Sequence, residues 1–418
     1  MGKGETGSVD AWLGKIAKMD KFKGVAQVEY ASELSTPYYL RRPTGILGLD
    51  IATGGGFHAG GHSEIHGAES VGKTGLAFRT AGMVQKNYGD DANILIVSTE
   101  IRTDKTYARK NGFQVAYSDE EIAHFEYMRK KRGQPKFTPE EFADLSHQVG
   151  RVVTVTGSTG EKALDVAYEA LAAGLFQLLI IESLGALMSS DQEAGDIGDR
   201  TYGGSSVMLT SFMNKVYPLF IMDRLIEEGE GRSRKVVGRE MLETTVIGIN
   251  QARAEIGGSP RGPKTHAAAG AYAWKHAQLV SLELHKSQQI KGSASGPPIG
   301  REVRWKIVKG KAGTHDGKSG TYDYYHMPKT DPIFWSDILL NSSTWGVDCV
   351  TELVSTAADL NVIERAGSWY TWTDDDGTLI ARGQGASAMA EVLVNEDEMR
   401  DLLVDRCYAA AGLQVKFK

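Results

Sequence analysis

Gly67-Ala68-Glu69-Ser70-Val71-Gly72-Lys73-Thr74 fits the spacing glycine, four residues, Gly-Lys-Thr without a mismatch. These residue types suit one chemistry. Glycines let successive backbone N–H groups close around a polyphosphate, Lys73 reaches the β and γ phosphates, and the Thr74 hydroxyl is placed to ligate magnesium. Gly67, Glu69, Ser70, Val71, Gly72, Lys73, Thr74 and the following Gly75 are the candidate nucleotide-binding set. Hydrolysis needs more than a cradle: a carboxylate near the metal and a second near the attacking water. Leu178-Leu179-Ile180-Ile181-Glu182 brings Glu182 to the end of a buried strand, where ligands bind in open parallel sheets. Ile94-Leu95-Ile96-Val97-Ser98-Thr99-Glu100 does the same for Glu100. Either carboxylate could instead cap a following helix. Ile247-Gly248-Ile249-Asn250-Gln251 ends a third strand in amides, and Gln251 at such a place can touch the γ phosphate and report its loss to the next loop.

A phosphate loop works only between a strand and a helix, so that the anion sits on the helix N-terminus. His62 to His66 predicts that strand, and Leu76, Ala77, Thr80 and Met83 predict a helix over Gly75–Gln85. Strands are expected at Asn93–Ser98, Val152–Thr156, Gln177–Ile181 and Thr244–Ile249, alternating with helices at Lys105–Gly112, Glu161–Gly174 and Gly203–Tyr217. That alternation predicts an α/β fold with a mostly parallel sheet flanked by helices. Gln278–His285 and Val303–Val308 alternate with period two around the Gly292–Pro298 loop, an antiparallel extension of the sheet.

Three regions are expected: 1–37, 38–341 and 342–418. The first holds an amphipathic helix over Ser8–Lys23, with Val9, Trp12, Leu13 and Ile16 on one face, tethered by Tyr30–Pro37. So short a helix must cover its apolar face on its own core or on a neighbouring subunit. The third combines short helices with the aromatic strand Trp369-Tyr370-Thr371-Trp372, a small α+β unit. Charged insertions near 118–142 and 227–240 read as solvated loops or helical hairpins.

The chain has 418 residues, 41% hydrophobic and 24% charged, with a formal net charge of -6. Nucleic-acid contacts would have to come from local basic strips and not from a global positive field. Two cysteines exclude a disulfide framework, and no charged-then-apolar segment opens the sequence, so a cytoplasmic setting is expected. No apolar run approaches a membrane-spanning length, and no membrane partner is expected.

Tyr-Ala-Arg-Lys-Asn-Gly at 107–112, Ile-Asn-Gln-Ala-Arg-Ala-Glu-Ile-Gly at 249–257, Val-Lys-Gly-Lys at 308–311 and Val-Ile-Glu-Arg-Ala-Gly-Ser-Trp-Tyr at 362–370 join the loop in one combination. Together they resemble the RecA-type homologous recombinases from about Ser35 to Gly412, with two insertions and a drift of the kind seen in phage strand-exchange proteins. The resemblance implies a RecA-like ATPase core, an N-terminal oligomerisation helix, ATP with Mg2+, and a helical homo-oligomer on single-stranded DNA that exchanges strands with homologous double-stranded DNA. A single-strand-binding protein and a loader are further partners it implies. Carried over residue by residue, Glu100 orients the attacking water, Asp104 and Tyr107 contact adenine, Gln251 couples the γ phosphate to DNA, and Lys309 and Lys311 reach the nucleotide of the adjacent subunit.

The resemblance places a first DNA loop at Glu193–Gly204, with Tyr202 as its wedge, and a second at Ala252–Gly270, with Ile256 as wedge and Arg253, Arg261 and Lys264 on phosphates. His285, Lys286, Arg304 and Lys306 match a weaker second DNA site, although a solvated basic strand face reads equally from the residues. Departures stand beside these matches. Glu182 replaces the usual aspartate; Val207 and Asn214 stand where the family has DNA-contacting arginines, which shifts weight to Arg200; and Gly270-Ala271-Tyr272 replaces Gly-Gly-Asn. A hexameric RecA-fold helicase and a non-hydrolysing DNA-binding scaffold are the alternatives.

Overall fold

The computed structural model describes residues 9–17, 19, 40–99, 103–157, 159–194, 204–228, 235–254, 266–268, 272–293, 295–326, 346–394 and 396–413. Helix α1 (Val9–Ala17) leaves Val9 and Trp12 64% and 53% exposed. Apart from Met19, the rest of the helix expected over Ser8–Lys23 lies outside the described residues. Strands β1 (Arg41–Arg42) and β2 (Phe57–His58) pair around α2 (Leu47–Ala52). Then β3 (Gly61–Gly67) runs through the loop into α3 (Lys73–Tyr88).

The alternation continues with β4 (Asn93–Ser98), α4 (Lys105–Lys110), α5 (Asp119–Lys131), α6 (Pro139–Ser146), β5 (Arg151–Val155), α7 (Gly160–Ala173), β6 (Leu178–Glu182), α8 (Ser190–Ala194) and α9 (Gly204–Ile221). Helix α9 passes one turn beyond the expected Tyr217, through Pro218. Hairpin β7 (Arg224–Glu228) and β8 (Lys235–Glu240) occupies the second charged insertion. Strand β9 (Thr245–Ala254) continues past Gln251, where an end was expected, because β10 (His266–Ala268) folds back and pairs with its last residues. After α10 (Tyr272–Ala277) come β11 (Val280–Lys291), β12 (Pro298–Gly310), β13 (Ser319–Tyr325) and β14 (Gly346–Val347).

The main sheet has the order β14-β13-β12-β11-β3-β9-β6-β4-β5, with β10 on β9. Pairing is parallel from β11 to β5 and antiparallel from β11 to β14. The first four residues of β6, Leu-Leu-Ile-Ile, are buried, as a strand covered on both faces requires. Neighbouring residues serve opposite layers: Ile94 and Ile96 pack with Phe78 of α3, while Leu95 and Val97 pack with Leu164 of α7 and Leu209 of α9.

The first insertion is a helical hairpin. Ser118–Glu121 and Thr138–Glu141 form capping boxes that start α5 and α6, and Tyr117, Ile122, Phe137 and Leu145 make a small core of their own. Beyond the sheet, α11 (Cys349–Asp359), strands β15 (Glu364–Ala366), β16 (Trp369–Thr373) and β17 (Leu379–Gln384), α12 (Ala386–Leu393) and α13 (Asp397–Ala410) enclose a third cluster around Trp372. It docks on α2 through Glu352, whose carboxylate accepts from the Leu47 and Gly48 N–H groups at 2.9 and 2.8 Å. Those are orphan donors of a helix start, so a buried acid here caps another element's helix.

Candidate functional site

The loop between β3 and α3 has the backbone its motif calls for. Gly67 has φ +153, and a side chain there would meet the Leu284 carbonyl at 2.4 Å; Gly72 has φ +106 and is the N-cap of α3. Val71 is buried and anchors the loop in the core. Lys73 Nζ donates to the Gly67 and Ala68 carbonyls at 3.0 and 2.8 Å, inside the curve of the loop.

The Thr74 hydroxyl donates to Glu182 Oε1, which joins the first turn of α3 to the end of β6. A hydroxyl and a carboxylate at a helix N-terminus are hard oxygen donors, and magnesium with its phosphate partners fits them. The longer arm of glutamate spans the gap to Thr74 directly. Glu100, the other candidate carboxylate, lies outside the described residues.

Beside the loop lies a cleft of about 490 Å3, lined by residues 70–76, Tyr107, Arg301, Tyr322, Tyr324 and His326 among others. Tyr107 reaches it because Gly75 has no side chain: a Cβ at 75 would stand 2.7 Å from the Tyr107 hydroxyl and from Asn111 Oδ1. Burial raises the Tyr107 and Tyr324 phenols, so both present neutral rings. Burial, reinforced by Arg301, holds the His326 imidazole below its ordinary value. Asp104 does not line the cleft. It is exposed at the N-cap of α4, where its carboxylate accepts from the Tyr107 N–H at 3.0 Å and so positions the tyrosine's helix.

Gln251 stands opposite Gly67 in the sheet, one strand from the loop. Its N–H donates to Asn250 Oδ1 at 2.9 Å, and Asn250 Nδ2 donates to Glu64 Oε1 at 2.9 Å. Glu64 is buried in mid-strand, and burial, partly offset by Asn250, pushes its carboxyl up to about 7. Nearby His66 and His62 are pushed down to about 4 by burial.

Lys309 and Lys311 lie away from the loop, level with the first half of β3. Lys309 stands across β11 from Ser281, Ser281 from Glu64, and the Lys311 N–H donates to Leu279 O, level with the start of β3. Lys309 Nζ donates to the Lys275 and His276 carbonyls at 2.5 and 2.8 Å, and Lys311 Nζ to the His276 carbonyl at 3.1 Å. These carbonyls belong to the last turn of α10, where cations are favoured. Burial, then repulsion from Lys311, lowers the Lys309 pKa.

Of the second DNA site, His285 and Arg304 are direct cross-strand partners, and Lys306 faces Glu283. Lys286 is out of phase: side chains alternate along β11, so it falls on the face opposite His285 and does not join Arg304 and Lys306. Glu283 belongs to the same patch and pairs with His285 at 3.2 Å. Arg253 lies on β9 with its side chain outside the described residues, as are Arg200, Tyr202, Ile256, Arg261, Lys264 and Gly270 altogether.

The sequence reading did not single out Arg301, Tyr322, Tyr324, His326, Glu64 or Glu283. The first four reach the cleft from β12, from β13 and from just beyond it. For Glu64, an acid in the strand that runs into the phosphate loop was the available signal.

The family model of the RecA N-terminal domain matches residues 15–118. Along most of its length the chain is similar to three RecA proteins. That of Lactobacillus johnsonii is 25% identical over 96% of this chain and 89% of its own, and that of Paracoccus denitrificans is 28% identical over 96% and 86%. That of Streptococcus gordonii is 27% identical over 86% and 73%. No described helix is long and apolar enough to cross a membrane. A phosphate loop on a mostly parallel sheet, an antiparallel extension beyond it and this likeness along nearly the whole chain agree: the chain carries a RecA N-terminal domain at residues 15–118 and is a divergent relative of the RecA recombinases.

Proposed function

We propose that the chain is a DNA-dependent ATPase that forms a helical filament on single-stranded DNA and exchanges strands with a homologous duplex, hydrolysing ATP at the joints between subunits. The observation that carries this reading is a division of labour across the sheet. The Thr74–Glu182 pair completes one half of a phosphate site, while Lys309 and Lys311 sit together away from the loop, level with Glu64 and the start of β3. At the rise of an extended chain, the three residues from Glu64 to Gly67 alone span roughly 10 Å. A second copy stacked head to tail would bring its lysine pair to the loop of the first, the heterologous contact that generates a helical filament.

The residues then divide as follows. Lys73 and the loop N–H groups hold the β and γ phosphates. Glu100 orients water, and Gln251, on the rigid Glu64–Asn250 support, senses the γ phosphate. Thr74 and Glu182 would hold magnesium, which would supply charge neutralisation when bound. The neighbour's Lys309 and Lys311 stabilise the charge that develops on the transferred phosphoryl oxygens. Tyr107, with Tyr324 and His326 in the same cleft, provides a platform for adenine. Residues 1–37, with α1 exposing Val9 and Trp12, dock on the neighbouring subunit; 38–341 form the ATPase core and 342–418 a peripheral unit.

ATP turnover measured with and without single-stranded DNA, alongside negative-stain images of the same samples, tests the proposal. It predicts DNA-stimulated hydrolysis and open helical filaments; closed hexameric rings, or DNA binding without hydrolysis, contradict it.

A further inference from the structure

Arg301 belongs neither to the loop motif nor to the positions carried over from the family, yet it enters the nucleotide cleft. Its Nη1 donates to the Ser70 carbonyl at 2.7 Å. Arg301 lies on the face of β12 that carries Val303, Trp305 and Ile307, all buried in the core layer of α3. The two-residue period of a hydrogen-bonded strand therefore aims it at the loop. It stands between the two parts of the cleft, touching the loop at Ser70 and acting electrostatically on Tyr107, Tyr324 and His326. The bond to Ser70 uses one of the five N–H donors of a guanidinium, whose fork matches phosphate oxygens.

We propose that Arg301 is a binding residue for the nucleotide's α phosphate, supplied by the same subunit whose loop holds the β and γ phosphates. The position selects the α phosphate: it lies between the loop that takes the terminal phosphates and the rings that take the base. The ligand class is a nucleoside di- or triphosphate, and because the cation acts in cis, binding needs no second subunit. This assignment rests on the cleft being the ATP site.

The full chain, without DNA and dilute enough to be unassembled, is titrated with N-methylanthraniloyl ADP and with the matching triphosphate. Arg301→Gln keeps a donor for the Ser70 carbonyl but loses the charge; Arg301→Lys keeps the charge. R301Q is expected to weaken both nucleotides by the same factor, about tenfold or more, and R301K by no more than about threefold. In DNA-stimulated hydrolysis R301Q raises the KM for ATP by a similar factor, and kcat falls far less. Wild-type affinity in R301Q, equal losses in R301K and R301Q, a loss confined to the triphosphate, or a fall confined to kcat would each overturn the assignment alone. A wild-type chain that binds neither nucleotide would overturn the ATP site itself and the assignment with it.

Discussion

At one end of β12, Arg301 bonds to the phosphate loop of its own chain; eight residues on, roughly 26 Å away at extended rise, Lys309 lies on the last carbonyls of α10. The two ends differ in what they can reach. Arg301 touches Ser70 in the structure as it stands, whereas Lys309 and Lys311 are held away from the loop by the last carbonyls of a short helix. A protein that needed only to bind nucleotide would have use for the first end alone. In the proposed reading, the second end serves a loop on another copy, so one strand carries a cis contact for binding and a trans contact for turnover. Between them Arg304 and Lys306 face away from the core, on the side proposed for the incoming duplex.

The largest expected effect is at the far end. Lys309→Ala should lower DNA-stimulated turnover by about 100-fold or more. Its thermal midpoint should move by only a few degrees, because the lost bonds are to the end of a six-residue helix at a half-exposed site. Unaltered turnover in a steady-state assay would assign Lys309 to α10 capping and nothing else.

The middle of the strand should show a smaller, salt-dependent effect. Arg304→Ala and Lys306→Ala should each reduce the slope of log affinity against log salt by about one for duplex binding to a DNA-loaded filament. Lys286→Ala, on the opposite face, should leave that slope where it is. Equal changes in all three variants would dissolve the distinction between the faces.

The smallest effect concerns the support under Gln251. Burial raises Glu64 to about 7, above the ordinary carboxylate value it has in the unfolded chain, so the folded state binds this proton more tightly. Its contribution to stability is full below the ordinary value and is lost as pH rises through about 7. Glu64→Gln removes that dependence, so the variant's thermal midpoint should gain on the wild type between pH 5 and 7. A constant difference across that range would show that Glu64 does not titrate there.

Much of this was legible in the residues, and the pattern of what was not is physical. The loop, the strand before it and the Glu182 strand end are local patterns, and the parallel sheet follows from their alternation. Arg301 escaped because period-two alternation was clear only over Val303–Val308, while the strand runs Pro298–Gly310 and puts Arg301 inside it. Tyr324 and His326 meet Tyr107 across more than 200 residues of sequence, and no local signal spans that distance. Asp104 was legible in another sense: an aspartate just before a helix is a capping pattern. Lys286 shows how one residue of phase changes the face that a strand side chain serves.

In the proposed filament each site is built from two subunits, and mixing variants tests this most directly. Lys73→Ala lacks the loop cation and Lys309→Ala the donated one, so neither alone should turn over ATP on single-stranded DNA. In an equimolar mixed filament, about a quarter of head-to-tail joints would pair an intact loop with an intact lysine. Turnover should therefore return to about a quarter of the wild-type rate. A mixture as inactive as its components would contradict the composite site.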